Sequence, residues 1–449
     1  MNKVVVVGGD AAGMSAAAQA SRGKEPTQLL VFEKTGYASV AAAGLPYFIS
    51  GEVNDSDGLI ARTPEQHRAN GIDLRLNHEV ISLDTDTRTV EVRDIDRGVT
   101  FTESFDQLVL AMGASPILPS WEGADAAGVF VVRSIPDAEA INQLIKEHAP
   151  RRAVVIGAGY IGVEMAEAFI ERGLEVTVVE RLDTPMASLD PDMGKRVAGA
   201  LDQLGVELRL GVSVEGLEVA PDGQVSAVVV DGESVAADLV VLALGVRPNV
   251  ELLAGSPVAV GATGAIATDA RMSTNVEGLW AAGDCAESLH RVSGQPTWVT
   301  LGTHANKHGR VVGLNVSGTH ARFPGVIGTA VTKMGSTEAG LTGLNSAAAV
   351  RAGFDVVARA IESETRADYY PGSAPIAVKI IAERSTGRML GGQIVGGPGS
   401  AKRIDAIAVA VWNEMTVEEF SQLDLGYAPP LSPVWDPTLI AARITAAGR

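Results

Sequence analysis

The sequence predicts an α/β fold: two related halves of one design, followed by a smaller C-terminal α+β domain. Three observations predict it. KVVVVG at 3–8 is a β-branched run that leads through a glycine loop and a small-residue helix into a second apolar strand, QLLVFEK at 28–34. The same order of strand, glycine loop, helix and strand returns at 151–181 in RRAVVIGAGYIGVEMAEAFIERGLEVTVVER. From residue 325 the pattern changes, and GTAVTKMG, APIAVKIIAERSTGRMLGGQIVGG and AKRIDAIAVAVWNEMTVEEF read as strands, a hairpin and a helix.

The second glycine loop is complete: Gly157, Gly159 and Gly162 stand in GxGxxG spacing. The first glycine permits a tight turn, the second lets a pyrophosphate approach the backbone, and the third lets helix and strand pack closely. The helix N-terminus then offers free N–H groups to phosphate. Glu180 closes the next strand 23 positions after Gly157, where an acid is expected to meet ribose hydroxyls. The first loop, GGDAAG, keeps Gly8 and Gly13 around Ala12 but has Asp10 at the middle position. Glu33, 25 positions after Gly8 and followed by Lys34, restores the pattern. Asp10 has two readings: a helix N-cap, which is preferred, or a polar group near a bound flavin or substrate. Both halves therefore predict Rossmann-like dinucleotide-binding domains. Glu180 favours NADH, because a carboxylate repels a 2′-phosphate, while Arg181 beside it suits NADPH, so the choice stays open. FDQLVLAMGASP and ADLVVLALGVRPN each read as an apolar strand ending at a glycine, Gly113 and Gly245, where the chain leaves a nucleotide domain. The expected domains are 1–113 with 246–324, then 114–245, then 325–449.

Composition excludes several classes of function. Apolar residues at 46% and charged residues at 20% describe a globular chain. A net charge of −18 without a Lys/Arg-rich run argues against a nucleic-acid partner. The single cysteine, Cys285, allows no intrachain disulfide. No stretch reaches the ~20 apolar residues of a spanning helix, and the N-terminus lacks a signal-peptide pattern, so a soluble cytoplasmic protein without membrane association is expected. The seven histidines are scattered, and no metal site is expected.

With these residues in place, the chain resembles the flavoprotein disulfide reductases that carry two dinucleotide folds. Within them it is similar to the group of coenzyme A-disulfide reductases, NADH oxidases and NADH peroxidases. GLWAAGDCAES at 278–288 matches the second FAD motif, which implies that Asp284 binds the ribityl chain and Gly283 allows its close approach. GTHANKHGRVVGLNV at 302–316 matches the helix whose N-terminus faces the flavin. LGYAPPLSPVWDP at 425–437 and ADYYPG at 367–372 match a dimerisation domain, which implies a homodimer in which Tyr427, or as second choice Tyr369 or Tyr370, reaches the partner's active site. The alternative for each tyrosine is interface packing. The resemblance implies FAD in the first unit and NADH or NADPH in the second, with Glu164 beside the nicotinamide. Glu164 also has the plain reading of a helix residue. Gln19, Arg22 and Ser39 match positions that handle coenzyme A.

One departure separates this chain from its group. The redox cysteine belongs just before the glycine that Gly44 represents, and Ala43 stands there, inside SVAAAGLPYF. Ala42 also replaces the usual asparagine, and Ala11 stands where the oxidase and peroxidase branches carry a histidine. Alanine has no nucleophile, so thiol exchange through an enzyme cysteine is rejected. Cys285 lies in the ribityl motif and reads as a packing residue. The main expectation is an NAD(P)H oxidoreductase whose flavin serves a small acceptor directly: oxygen, with hydrogen peroxide formed, or a quinone. His304 or Tyr427 is the candidate proton source. The alternative is a reductase of CoA-linked disulfides or persulfides that uses the substrate's own thiol; a third is a redox-sensing flavoprotein of low turnover.

Overall fold

The structure is a computed structural model and describes residues 2–23 and 27–449. The chain divides into two compact units. One holds Met1–Gly44, Asp55–Ile117 and Val246–Val326; the other holds Leu45–Asn54, Leu118–Gly245 and Ile327–Arg449.

The first unit is built on a five-stranded parallel sheet. Its strand order is Leu279–Ala281, Gln107–Leu110, Asn2–Val7, Thr27–Phe32 and Ile72–Arg75. Val4, Val5 and Val6 on the central strand are buried, as a strand covered on both faces requires. The helices Ala11–Ala20 and Gly302–Val316 pack on each other closely. Glycines permit this: a Cβ on Gly309 would stand 2.1 Å from the Ala12 carbonyl oxygen, and one on Gly313 would stand 2.5 Å from that of Ala16. An antiparallel meander, His78–Asp84, Thr89–Asp94 and Val99–Ser104, is inserted between the last two strands of the first half.

The second unit repeats the design. Its parallel sheet runs Glu207–Leu210, Glu175–Glu180, Arg152–Ile156, Leu239–Leu242 and Val129–Phe130, again with the β-branched strand in the middle. It also carries an antiparallel meander, Val214–Val219, Val225–Val230 and Glu233–Ala236. Neither meander is among the elements read from the sequence, although TVEVRD at 89–94 alternates apolar and polar residues and its burial alternates with them. The rest of this unit is a five-stranded antiparallel sheet in the order Ala330–Met334, Thr337–Gly343, Met389–Gly396, Pro375–Glu383 and Val356–Glu364. The helices Ile404–Trp412 and Pro437–Ala447 cover it. This is the α/β fold with a C-terminal α+β part that the sequence predicts. No helix among the described residues is long and apolar enough to cross a membrane.

Candidate functional site

Each unit has one glycine loop, and the two are built alike. In the first, Gly8 has a φ of 108° and its N–H donates to the Phe32 carbonyl at 2.8 Å. A Cβ on Gly8 would lie 2.2 Å from the Ala111 carbonyl oxygen, and one on Gly13 would lie 1.9 Å from that of Gly8. Only glycine fits either place. Glu33 braces the loop from the next strand: it accepts from Gly9 N–H at 2.7 Å and from Thr35 N–H at 2.9 Å. In the second loop, Gly157 has a φ of 105° and donates to Val179 at 2.8 Å. A Cβ on Gly162 would lie 1.9 Å from the Gly157 carbonyl oxygen. Glu180 accepts from Ala158 N–H at 2.8 Å and from Leu182 N–H at 2.9 Å. Both acids thus hold their loops open as well as standing where ribose hydroxyls are expected. Lys34 and Arg181 follow them and are exposed.

The middle position differs. Gly159 is exposed, and a Cβ built on it meets nothing within 4 Å. That open cradle, at the N-terminus of the helix Tyr160–Glu171, fits the diphosphate of a dinucleotide. Asp10 occupies the N-cap position of the helix Ala11–Ala20, yet its side chain makes no capping hydrogen bond. The preferred N-cap reading is therefore corrected. The carboxylate instead accepts the Val40 N–H at 2.7 Å and anchors the segment that runs into the alanines.

Ala43 lies in a short 3₁₀ turn, Ala42–Gly44, in the first unit. Ala41 and Ala43 are exposed. Ala41 N–H donates to the Leu59 carbonyl at 2.7 Å, and a Cβ on Gly44 would come within 2.5 Å of the end of the Leu59 side chain. Gln19 and Ser39 are half-buried and Arg22 is exposed, all in this unit.

Gly283 and Asp284 lie in a short 3₁₀ turn, Gly283–Cys285, with Gly283 at a φ of 75° and a would-be Cβ that would clash with that of Ala12 at 2.7 Å. The Gly283 N–H donates to His308 Nδ1 at 3.3 Å. His308 stacks edge-on against Phe323, and burial, with His304 nearby, pushes it down to about 3. Cys285 is buried, its thiol reaches the Leu110 and Ala282 carbonyls, and burial pushes it up to about 11. It is an inert packing residue. His304 sits in the first turn of the helix Gly302–Val316, also buried, and burial followed by the Lys307 charge pushes it down to about 4. A histidine held neutral donates a proton less readily than a charged one, which weighs against His304 as the proton source.

In the second unit, Glu164 projects from the helix Tyr160–Glu171 and accepts from the Thr332 hydroxyl at 3.0 Å. Burial chiefly raises its pKa; Thr332 opposes this and Glu167 adds to it. Lys333 pairs with the buried Glu167 at 2.8 Å and lies 5.8 Å from the centre of the Tyr47 ring. Burial and Glu164 together raise the Tyr47 pKa. Sequence reasoning missed Tyr47, Thr332, Lys333 and Glu167; the only available signal was two glutamates three apart on an apolar helix. Tyr427, Tyr369 and Tyr370 are partly or largely exposed, at 48%, 73% and 37%. A hydrogen bond that the Tyr369 hydroxyl donates to Tyr427 raises the Tyr369 pKa, so Tyr369 is the tyrosine tied to Tyr427. Gly113 and Gly245 both take positive φ, 68° and 94°, at the ends of their strands.

Comparison with known proteins places these features. Residues 2–309 match the profile of the pyridine nucleotide-disulphide oxidoreductases, and residues 329–437 match that family's dimerisation domain. The chain is 41% identical to the NAD(P)H sulfur oxidoreductase (CoA-dependent) of Pyrococcus abyssi, over 98% of this chain and 97% of that one. It is 36% identical to an NADH oxidase of Methanocaldococcus jannaschii, over 98% of both. Among solved structures it is similar to an NAD-dependent persulfide reductase from A. fulgidus, with a TM-score of 0.96 and 37% identity, covering 100% of this chain and 83% of that one.

Proposed function

The chain belongs to the pyridine nucleotide-disulphide oxidoreductase family, as a flavin-dependent NAD(P)H oxidoreductase, and from that premise we propose that it reduces CoA-linked persulfide without an enzyme thiol. The observation that carries this is the higher identity to a CoA-dependent sulfur oxidoreductase, 41%, than to an NADH oxidase, 36%, over the same share of the chain. It favours the persulfide alternative over direct transfer to oxygen.

FAD fits the first loop and NAD(P)H the second. Gly8, Gly9, Ala12 and Gly13 line the diphosphate cradle of the first, Glu33 stands at the ribose, and Gly283 and Asp284 at the ribityl chain. Gly157, Gly159, Gly162 and Glu180 serve the second, with Arg181 exposed beside Glu180. A bound flavin supplies a two-electron relay from NAD(P)H to the acceptor. Glu164, half-buried and protonated more readily than an ordinary glutamate, stands as the nicotinamide-side residue. Gln19, Arg22 and Ser39 hold the CoA moiety. Ala43 contributes no sulfur, so the substrate brings its own S–S bond. That bond breaks, the sulfane sulfur takes the electron pair, and NAD(P)H, one proton and CoA-SSH become NAD(P)⁺, CoA-SH and H₂S. In a homodimer, Tyr427, tied to Tyr369, is the proton source of choice, since its hydroxyl is accessible and His304 is neutral.

The test is anaerobic NADH consumption with CoA persulfide, with sulfide counted. One sulfide for each NADH supports the reading. No sulfide, together with stoichiometric peroxide in air, replaces it with the oxidase reading, which the accessible, thiol-free turn at Ala43 favours.

A further inference from the structure

Ser39, which the reading above gives to the CoA moiety, is paired with His67, which that reading leaves unused. Ser39 opens the alanine run with a φ of 57°, in the left-handed region where a non-glycine residue is strained. Its surroundings hold it there. Ser39 N–H donates to Gly9 at 3.0 Å, Ala61 N–H donates to the Ser39 carbonyl at 3.0 Å, and Val40 N–H donates to Asp10 at 2.7 Å. The side chain has a fourth tie: Ser39 Oγ lies 2.9 Å from Nε2 of His67, on the helix Pro64–Ala69.

His67 is 2% exposed, and its Nδ1 has no hydrogen-bond partner. That orphan decides the tautomer. A proton on Nδ1 would bury an N–H donor with no acceptor, the costlier of the two vacancies, whereas a bare Nδ1 leaves only an acceptor unmet. The proton therefore sits on Nε2, and Nε2–H donates to Ser39 Oγ. The serine hydrogen, unable to point at the ring, turns outward as a free donor. Burial chiefly, and the charge of the exposed Arg62, lower the His67 pKa, which favours the neutral form of the ring.

We propose that His67 is a positioning residue: by filling the acceptor side of Ser39 Oγ, it fixes the serine as a hydrogen-bond donor to an acceptor atom of the CoA-type substrate. This rests on the CoA reading above.

The test measures CoA binding to the flavin-loaded enzyme by calorimetry in the wild type, His67→Gln, His67→Asn, Ser39→Ala and the Asn/Ala double variant. A glutamine amide nitrogen reaches the place of Nε2; an asparagine stops short. His67→Gln is expected to stay within about twofold of the wild type. His67→Asn and Ser39→Ala are expected to bind about fivefold to tenfold more weakly, the loss of one neutral hydrogen bond. The double variant should bind no more weakly than Ser39→Ala alone, because His67 acts through Ser39. Wild-type affinity in His67→Asn, or additive loss in the double variant, overturns the inference and leaves the CoA reading standing. No CoA binding by the wild type overturns both. Should His67→Asn fail to hold flavin, His67→Gln against Ser39→Ala decides: a glutamine variant as weak as the alanine variant sinks the proposal.

Discussion

The two glycine loops share every feature that sterics control and differ in the one that chemistry controls. Gly8 and Gly157 take nearly the same φ, Gly13 and Gly162 would make the same 1.9 Å clash, and Glu33 and Glu180 brace matching amides. The middle residue is open in one loop and an aspartate in the other. Gly159 leaves its cradle free for a diphosphate, whereas Asp10 reaches across to the Val40 amide and ties the loop to the alanine segment. A glycine motif thus does two separable jobs. Its outer glycines make the turn possible, and its middle position is available for local use.

The largest expected effect tests the shared part. Gly13→Ala and Gly162→Ala each force a Cβ into a backbone carbonyl that cannot move aside. Each should abolish the ligand of its own loop: loss of flavin absorbance for Gly13→Ala, and loss of NADH-dependent flavin bleaching with flavin retained for Gly162→Ala. Equal behaviour of the two variants in both assays would break the comparison.

An exchange at the middle position should have an intermediate effect. Gly159→Asp has room for its side chain, so the protein should fold and keep flavin, but a carboxylate in the phosphate cradle should raise the KM for NADH about a hundredfold. Asp10→Gly removes a charged hydrogen-bond acceptor from the Val40 amide, at a cost of about 1.5–3 kcal/mol. It should lower the temperature of flavin release while leaving the KM for NADH near its starting value. An unchanged KM in Gly159→Asp would mean that the nucleotide does not enter that cradle.

The smallest effect concerns pH. His308 accepts the Gly283 amide only when neutral, and burial holds it at about 3, below the ordinary ~6.5 of an unfolded chain. Between these values the unfolded state binds the extra proton, so stability is fully present above pH ~6.5 and declines as pH falls towards 3. His308→Gln keeps an acceptor and removes the titration. Its melting temperature should fall less steeply between pH 6.5 and 5 than that of the wild type, and parallel curves would show that His308 does not carry the dependence.

Much of this was legible beforehand. KVVVVG and RRAVVIG are strands because continuous β-branched runs suit a strand buried on both faces, and the glycine spacings place the loops between strand and helix. GTHANKHGRVVGLNV is one helix over its whole length. Asp10 was misread because position alone marks an N-cap, while the competing Val40 amide comes from residues thirty positions away. The burial of His304 is not legible in the sequence, because it arises from distant segments. Tyr47, Lys333 and Glu167 were missed because they meet from three separate elements.

The sequence by itself determined the duplicated α/β design, the places where only glycine fits, the acids at the ends of the second strands and the absence of a redox thiol at Ala43. Those features depend on local geometry and on residue type. Tertiary structure alone decided which groups have shifted pKa values, which tyrosine pairs with Tyr427 and what Asp10 and His67 hold, because burial and hydrogen-bond partners arise only when distant segments are brought together.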